Sequence, residues 1–125
     1  MSTSQLWIVG AVCFYLVVFV SGFWLSRSGK PYNQAILSLH KLVALAGAIL
    51  LGIVLYRVSR VARLSAAELA AGVVTGLFIL GLFVTGALLS IDKPMPAIVS
   101  KLHHITPYLA VLSTAVALYL LLSRR

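Results

Sequence analysis

Four runs of mostly apolar residues divide the chain, at 6–25, 35–56, 66–91 and 97–122. Each is long enough to cross a hydrocarbon core about 30 Å thick, which takes roughly 20 helical residues. Polar and helix-breaking residues separate them: Ser26-Arg-Ser-Gly-Lys-Pro-Tyr-Asn33, then Arg57-Val-Ser-Arg-Val-Ala-Arg-Leu-Ser65, then Asp92-Lys-Pro-Met-Pro96. Gly29 and Pro31 are expected to end the first helix. Ser65 and Glu68 have the spacing of a capping box, which accounts for Glu68 better than a proton-carrying role does. The pattern predicts an all-α integral membrane four-helix bundle, a single transmembrane domain over 1–125.

Within the apolar runs the polar positions are few, and the histidines stand out. All three lie in two short segments, Ser38-Leu39-His40-Lys41 and Lys101-Leu102-His103-His104. His40 and His103 each fall roughly 9 Å inside a predicted helix, at about 1.5 Å rise per residue. An ionisable ring inside a membrane span is costly and so points to function. Ala44, Gly47 and Ala48 follow His40 on one stripe, and Thr106, Pro107, Ala110, Ser113, Thr114 and Ala117 follow His103 in the same way. Small residues on such a stripe let a neighbouring backbone or a flat ligand approach closely. Pro107 is expected to disturb the helix beside His103.

Composition supports the membrane reading. The chain is 62% hydrophobic and 10% charged, far from the soluble norm of about 45–50% and about 25%. The net charge of +8 does not imply nucleic-acid binding, because the basic residues are scattered at helix ends, where they meet lipid headgroups. Trp7 and Trp24 flank the first span at interfacial positions, and its leader lacks the basic region of a signal peptide, so it is read as a retained helix. Cys13 is the single cysteine; it excludes an intramolecular disulfide and is read as a small apolar residue. Arg57, Arg60 and Arg63, with Arg124 and Arg125, share one side against Arg27, Lys30, Lys93 and Lys101 on the other. The arginine cluster at 57–63 favours cytoplasmic termini in a plasma (inner) membrane.

The halves of the chain resemble each other. Phe19-Val-Ser-Gly-Phe-Trp-Leu-Ser26 aligns with Phe83-Val-Thr-Gly-Ala-Leu-Leu-Ser90. Lys30-Pro31 then matches Lys93-Pro94, Leu39-His40 matches Leu102-His103, and Tyr56 matches Tyr119. The expected units are 6–57 and 66–123. Two-span repeats would be parallel, related by a pseudo-twofold axis along the membrane normal. His40 and His103 would then face each other at one depth.

Two neutral imidazoles so placed suit the axial positions of one porphyrin iron. The small stripes, Ala44 and Gly47 on one helix and Pro107 and Ala110 on the other, are expected to make room for the macrocycle. Lys41 and Lys101, with Lys30 and Arg27, are the nearest cations for its propionates. His104 points away from His103 and is read as a polar packing residue able to reach a propionate or quinone oxygen. No C-x-x-C-H occurs, which excludes a c-type haem. No further histidine follows along either helix, so one haem b is the expected maximum. With both axial sites filled by protein, electron transfer rather than oxygen or substrate chemistry is expected.

The layout of four short spans with Leu39-His40 and Leu102-His103-His104 resembles the small transmembrane bis-histidine b-type cytochromes, including electron-carrying subunits of membrane oxidoreductases. Those families commonly hold two haems, and this chain lacks a second histidine pair. The resemblance implies His40 and His103 as axial ligands, and quinone, quinol or another redox subunit as partner in a homo- or hetero-oligomer. Two other classes compete. One is a non-redox accessory subunit of a membrane complex, with the histidines on a chlorophyll-type pigment or on nothing. The other is a small multidrug-type transporter, which needs a membrane-embedded carboxylate; the acidic residues, Glu68 and Asp92, both fall at predicted helix ends.

Overall fold

The computed structural model describes residues 1–91 and 93–123, the side chain of Ser4 excepted. Asp92, which entered the reading of the third loop, and Arg124 and Arg125, which entered the charge comparison, lie outside the described residues. The fold is all-α, with four helices: α1 Thr3–Ser28, α2 Gln34–Val61, α3 Ala66–Ser90 and α4 Ala97–Leu122. All four are long and apolar enough to cross a membrane.

Local chemistry sets the ends. Ser2 and Gln5 form a capping box that opens α1, satisfying N–H groups that have no partner in the first turn. Gly29 ends α1 with φ 68° and ψ −176° and donates its N–H to the Leu25 carbonyl at 3.1 Å. Only glycine occupies that backbone region without strain. Asn33 Oδ1 accepts from the Ala35 and Ile36 N–H groups at 2.9 and 3.2 Å and opens α2. The Ser65–Glu68 capping box is formed: Ser65 Oγ accepts from the Glu68 N–H, and the Glu68 carboxylate accepts from the Ser65 N–H, each at 3.2 Å. Glu68 is buried in this role.

One boundary differs from expectation. The second loop, expected from Arg57, begins only after Val61, so α2 carries Arg57 and Arg60 in its last turns. Arginine is a good helix former, and no glycine or proline stops the helix there.

The expected single domain takes the form of two compact units, one spanning Met1–Val61 and the other starting at Ala62. In the first, α1 packs on α2; in the second, α3 packs on α4. Their limits fall close to those expected for the repeats. The first hairpin buries little: Ser21 and Leu25 on α1, and no residue of α2. The second is closer packed, with Thr75 on α3 and Ala110, Thr114, Ala117 and Leu121 on α4 inside. Large apolar side chains cover the outside of both hairpins, Leu42, Leu77 and Leu112 among them. In water such a surface would drive aggregation; in a bilayer it is the lipid face.

Candidate functional site

The polar groups at the centre of each hairpin lie on both of its helices. In the first hairpin, Ser21 sits six to eight residues before the end of α1, and His40 lies at a similar distance from the start of α2. The turn at Gly29 folds the helices back so that the two side chains meet. Ser21 Oγ lies 2.9 Å from His40 Nδ1, and the His40 ring also engages the Val18 backbone. In the second hairpin, Thr85 Oγ1 lies 2.8 Å from His103 Nδ1. Both histidines are half-buried.

A glycine follows each hydroxyl residue and makes room for the ring. A Cβ on Gly22 would stand 3.0 Å from His40 Cε1, and one on Gly86 would stand 3.0 Å from His103 Cε1. That is tighter than nearly all carbon–carbon contacts, so the ring would have to shift by a few tenths of an ångström. The two imidazoles are therefore seated in the same way, edge-on to the backbone of the helix beside them.

Counting protons assigns the ring nitrogens. Ser21 Oγ donates its one proton to the Val17 carbonyl at 2.7 Å, with the Val18 carbonyl at 3.1 Å. Thr85 Oγ1 donates to the Gly81 carbonyl at 2.8 Å, with the Leu82 carbonyl at 3.3 Å. A hydroxyl has one proton, so if it goes to a carbonyl the oxygen accepts from the histidine, and if it goes to the histidine Nδ1 accepts. With the hydroxyl protons on the carbonyls, His40 Nδ1 and His103 Nδ1 are the protonated nitrogens. In the neutral ring the electron pair sits on Nε2, the nitrogen a metal would use.

His104 is placed differently. Its ring is nearly perpendicular to that of His103, at 86°, with centroids 6.4 Å apart. It is exposed, and its Nδ1 donates to the Ser100 carbonyl of its own helix at 2.6 Å. The hydroxyl-and-glycine seat belongs to His103 alone of the neighbouring pair. Pro107 lies within α4 without ending it; it has no N–H for the carbonyl of His103, four residues back.

Two positions of the small-residue stripes lie at packed places within the hairpins. A Cβ on Gly47 would meet the Phe14 ring at 3.5 Å, and Ala110 is fully buried. These positions let the helices within each hairpin come together. Ala44 remains half-buried one turn beyond His40. Lys41 and Lys101 are exposed beside the histidines. Arg27 lies over the Phe23 ring at 5.7 Å and Lys30 over Tyr32 at 5.9 Å, so each of these loop cations stacks on an aromatic ring of its own segment.

Sequence reasoning missed Ser21, Gly22, Thr85 and Gly86 as site residues. The signal was present as a hydroxyl followed by glycine at matched places in both halves, Phe19-Val-Ser-Gly and Phe83-Val-Thr-Gly.

The donor set decides which metal centre the residues fit. Among the described residues no cluster of three or more His, Cys, Asp or Glu could hold a metal ion, whereas a bare zinc site needs three or four protein donors. One imidazole per hairpin suits an iron whose equatorial positions a porphyrin fills. Each imidazole is a donor of the kind a haem iron takes, and Gly47 and Ala110 lie at positions packed within their own hairpins. Comparison with protein-family models, curated proteins and solved structures returns no match.

Proposed function

We propose that this chain is a multi-pass membrane cytochrome of b type, holding one haem between His40 and His103 through their Nε2 atoms. The observation that carries the reading is the matched seating of the two imidazoles, each with Nδ1 committed to a hydroxyl on the adjacent helix. A histidine that ligates a metal is generally oriented in this manner by a partner at its other nitrogen. His40 and His103 would hold the haem, which would supply one-electron redox chemistry.

The chain's own residues hold, orient and insulate. His40 and His103 provide the neutral donors, and Ser21 and Thr85 fix their rings. Lys41 and Lys101 are the candidates for the propionates, and the apolar helix surfaces exclude water. The work is electron relay to or from a quinone or a partner redox subunit, in a plasma membrane with both termini cytoplasmic. The test is the visible spectrum of detergent-purified protein from haem-replete cells, oxidised and dithionite-reduced. Sharp α and β bands on reduction are expected; a colourless preparation overturns the reading.

A second reading has one observation in its favour. The Ser21–His40 and Thr85–His103 hydrogen bonds stitch each hairpin together without any ligand. On that reading the chain is a non-redox accessory subunit, and the histidines are packing residues. The transporter reading gains nothing, since the Glu68 carboxylate caps α3.

A further inference from the structure

We infer that the hydroxyl–glycine pairs Ser21–Gly22 and Thr85–Gly86 are positioning residues that lock His40 and His103 as Nδ1–H tautomers and reserve Nε2 for an electron-pair acceptor. The role in haem ligation rests on the function proposed above; the tautomer rests on the hydroxyl–carbonyl and hydroxyl–imidazole distances within each hairpin. Each pair combines two effects. The hydroxyl oxygen lies 2.7 Å (Ser21) or 2.8 Å (Thr85) from the carbonyl four residues back, and a proton directed there leaves the oxygen to accept from Nδ1. The glycine leaves the space into which Cε1 fits, 3.0 Å from where a side chain would begin. With a side chain in place of the glycine the ring is pushed from the hydroxyl, and without the hydroxyl the ring loses the partner that favours a proton on Nδ1.

The chemical character of the acceptor matters as well. A carboxylate at Nδ1 makes a ligating imidazole more basic. A neutral hydroxyl oxygen, itself polarised towards a carbonyl, does so less. Ser21 and Thr85 therefore hold the rings as plain neutral imidazoles, a donor set that favours the ferrous over the ferric state more than a carboxylate-backed pair does. Burial and nearby positive charge, here Lys41 and Lys101, act in the same direction.

The experiment reads the tautomer before any haem is added. Full-length protein, labelled with 15N in its histidine side chains and purified in detergent without haem, is examined by long-range 1H–15N correlation. His40 and His103 are expected as Nδ1–H tautomers. Ser21→Ala is expected to move His40 alone to the Nε2–H form or a mixture, and Ser21→Thr to restore it. Gly22→Ala, which keeps the hydroxyl, is expected to have the same effect by displacing the ring, and Thr85→Ala repeats the test independently on His103. Finding His40 and His103 as Nε2–H tautomers, or unchanged in all three disruptive variants, overturns the inference. In haem-loaded protein the midpoint potential and low-spin g-values are expected to shift in Ser21→Ala and to return in Ser21→Thr. A wild type that binds no haem yet shows both Nδ1–H tautomers leaves the inference standing and removes the cytochrome reading. A protein that binds haem with Nδ1 unaffected by Ser21 and Thr85 does the reverse.

Discussion

Ser21 Oγ and His40 Nδ1 stand 2.9 Å apart, joining α1 to α2, and Thr85 with His103 repeats the arrangement at 2.8 Å. Hydrogen bonds between membrane helices contribute only about 0.6 kcal/mol on average and rarely more than ~1.7 kcal/mol. Such a bond is too weak to hold a hairpin alone. Its leverage is chemical, because it decides which nitrogen of the ring carries a proton and which carries an electron pair.

The first prediction separates the histidines. His40→Ala and His103→Ala are each expected to abolish the low-spin haem spectrum, whereas His104→Ala keeps it. His104 hydrogen-bonds within its own helix and lacks the hydroxyl-and-glycine seat. Reduced-minus-oxidised spectra of the three variants check this. Loss of the spectrum in His104→Ala together with its survival in His103→Ala would assign the ligand to the wrong neighbour.

The spans and the two histidine positions were legible in the sequence because they depend on one-dimensional quantities: length of apolar run, spacing of ring from helix start. Helix ends were legible where glycine, proline or a capping box marks them, as at Gly29 and Ser65. They were not legible at Arg57, where charge was read as loop although arginine continues a helix readily. The hydroxyl partners of the histidines needed a pairing of residues 18 and 19 apart in sequence, which no period along one helix reveals. The stripe at Gly47 and Ala110 is ambiguous in the sequence, since the same small residues serve a neighbouring helix or a ligand; in the structure both positions pack within their hairpins.

A second prediction concerns Gly86. In Gly86→Ala the new Cβ stands 3.0 Å from His103 Cε1, so either the ring or α4 must move. Disturbing the group that orients a metal ligand typically weakens binding about 10- to 100-fold. Haem titration of the variant against wild type is expected to show a loss in that range, with helical content by circular dichroism retained.

The turn of the first hairpin offers a test free of any ligand. Gly29 holds φ 68° and ψ −176°, a region that costs other residues of order 1–3 kcal/mol. Gly29→Ala is expected to destabilise the protein by about that much, measured as a lowered midpoint of denaturation in mixed micelles. An unchanged midpoint would mean that the turn relaxes to another backbone conformation.

The last prediction uses the cap of α3 to divide stability from function. Ser65 and Glu68 exchange two hydrogen bonds at the helix start, and the carboxylate also meets the positive end of the helix dipole. Losing a serine cap costs about 0.5–2 kcal/mol. Ser65→Ala is expected to lower the denaturation midpoint accordingly, and Glu68→Gln less, since the amide oxygen still accepts from the Ser65 N–H. Neither is expected to alter the reduced haem spectrum, because both residues lie at the far end of α3 from Thr85. Were Glu68→Gln instead to abolish proton-coupled export of cations from cells while leaving stability intact, the carboxylate would be a transport group and the capping role incidental.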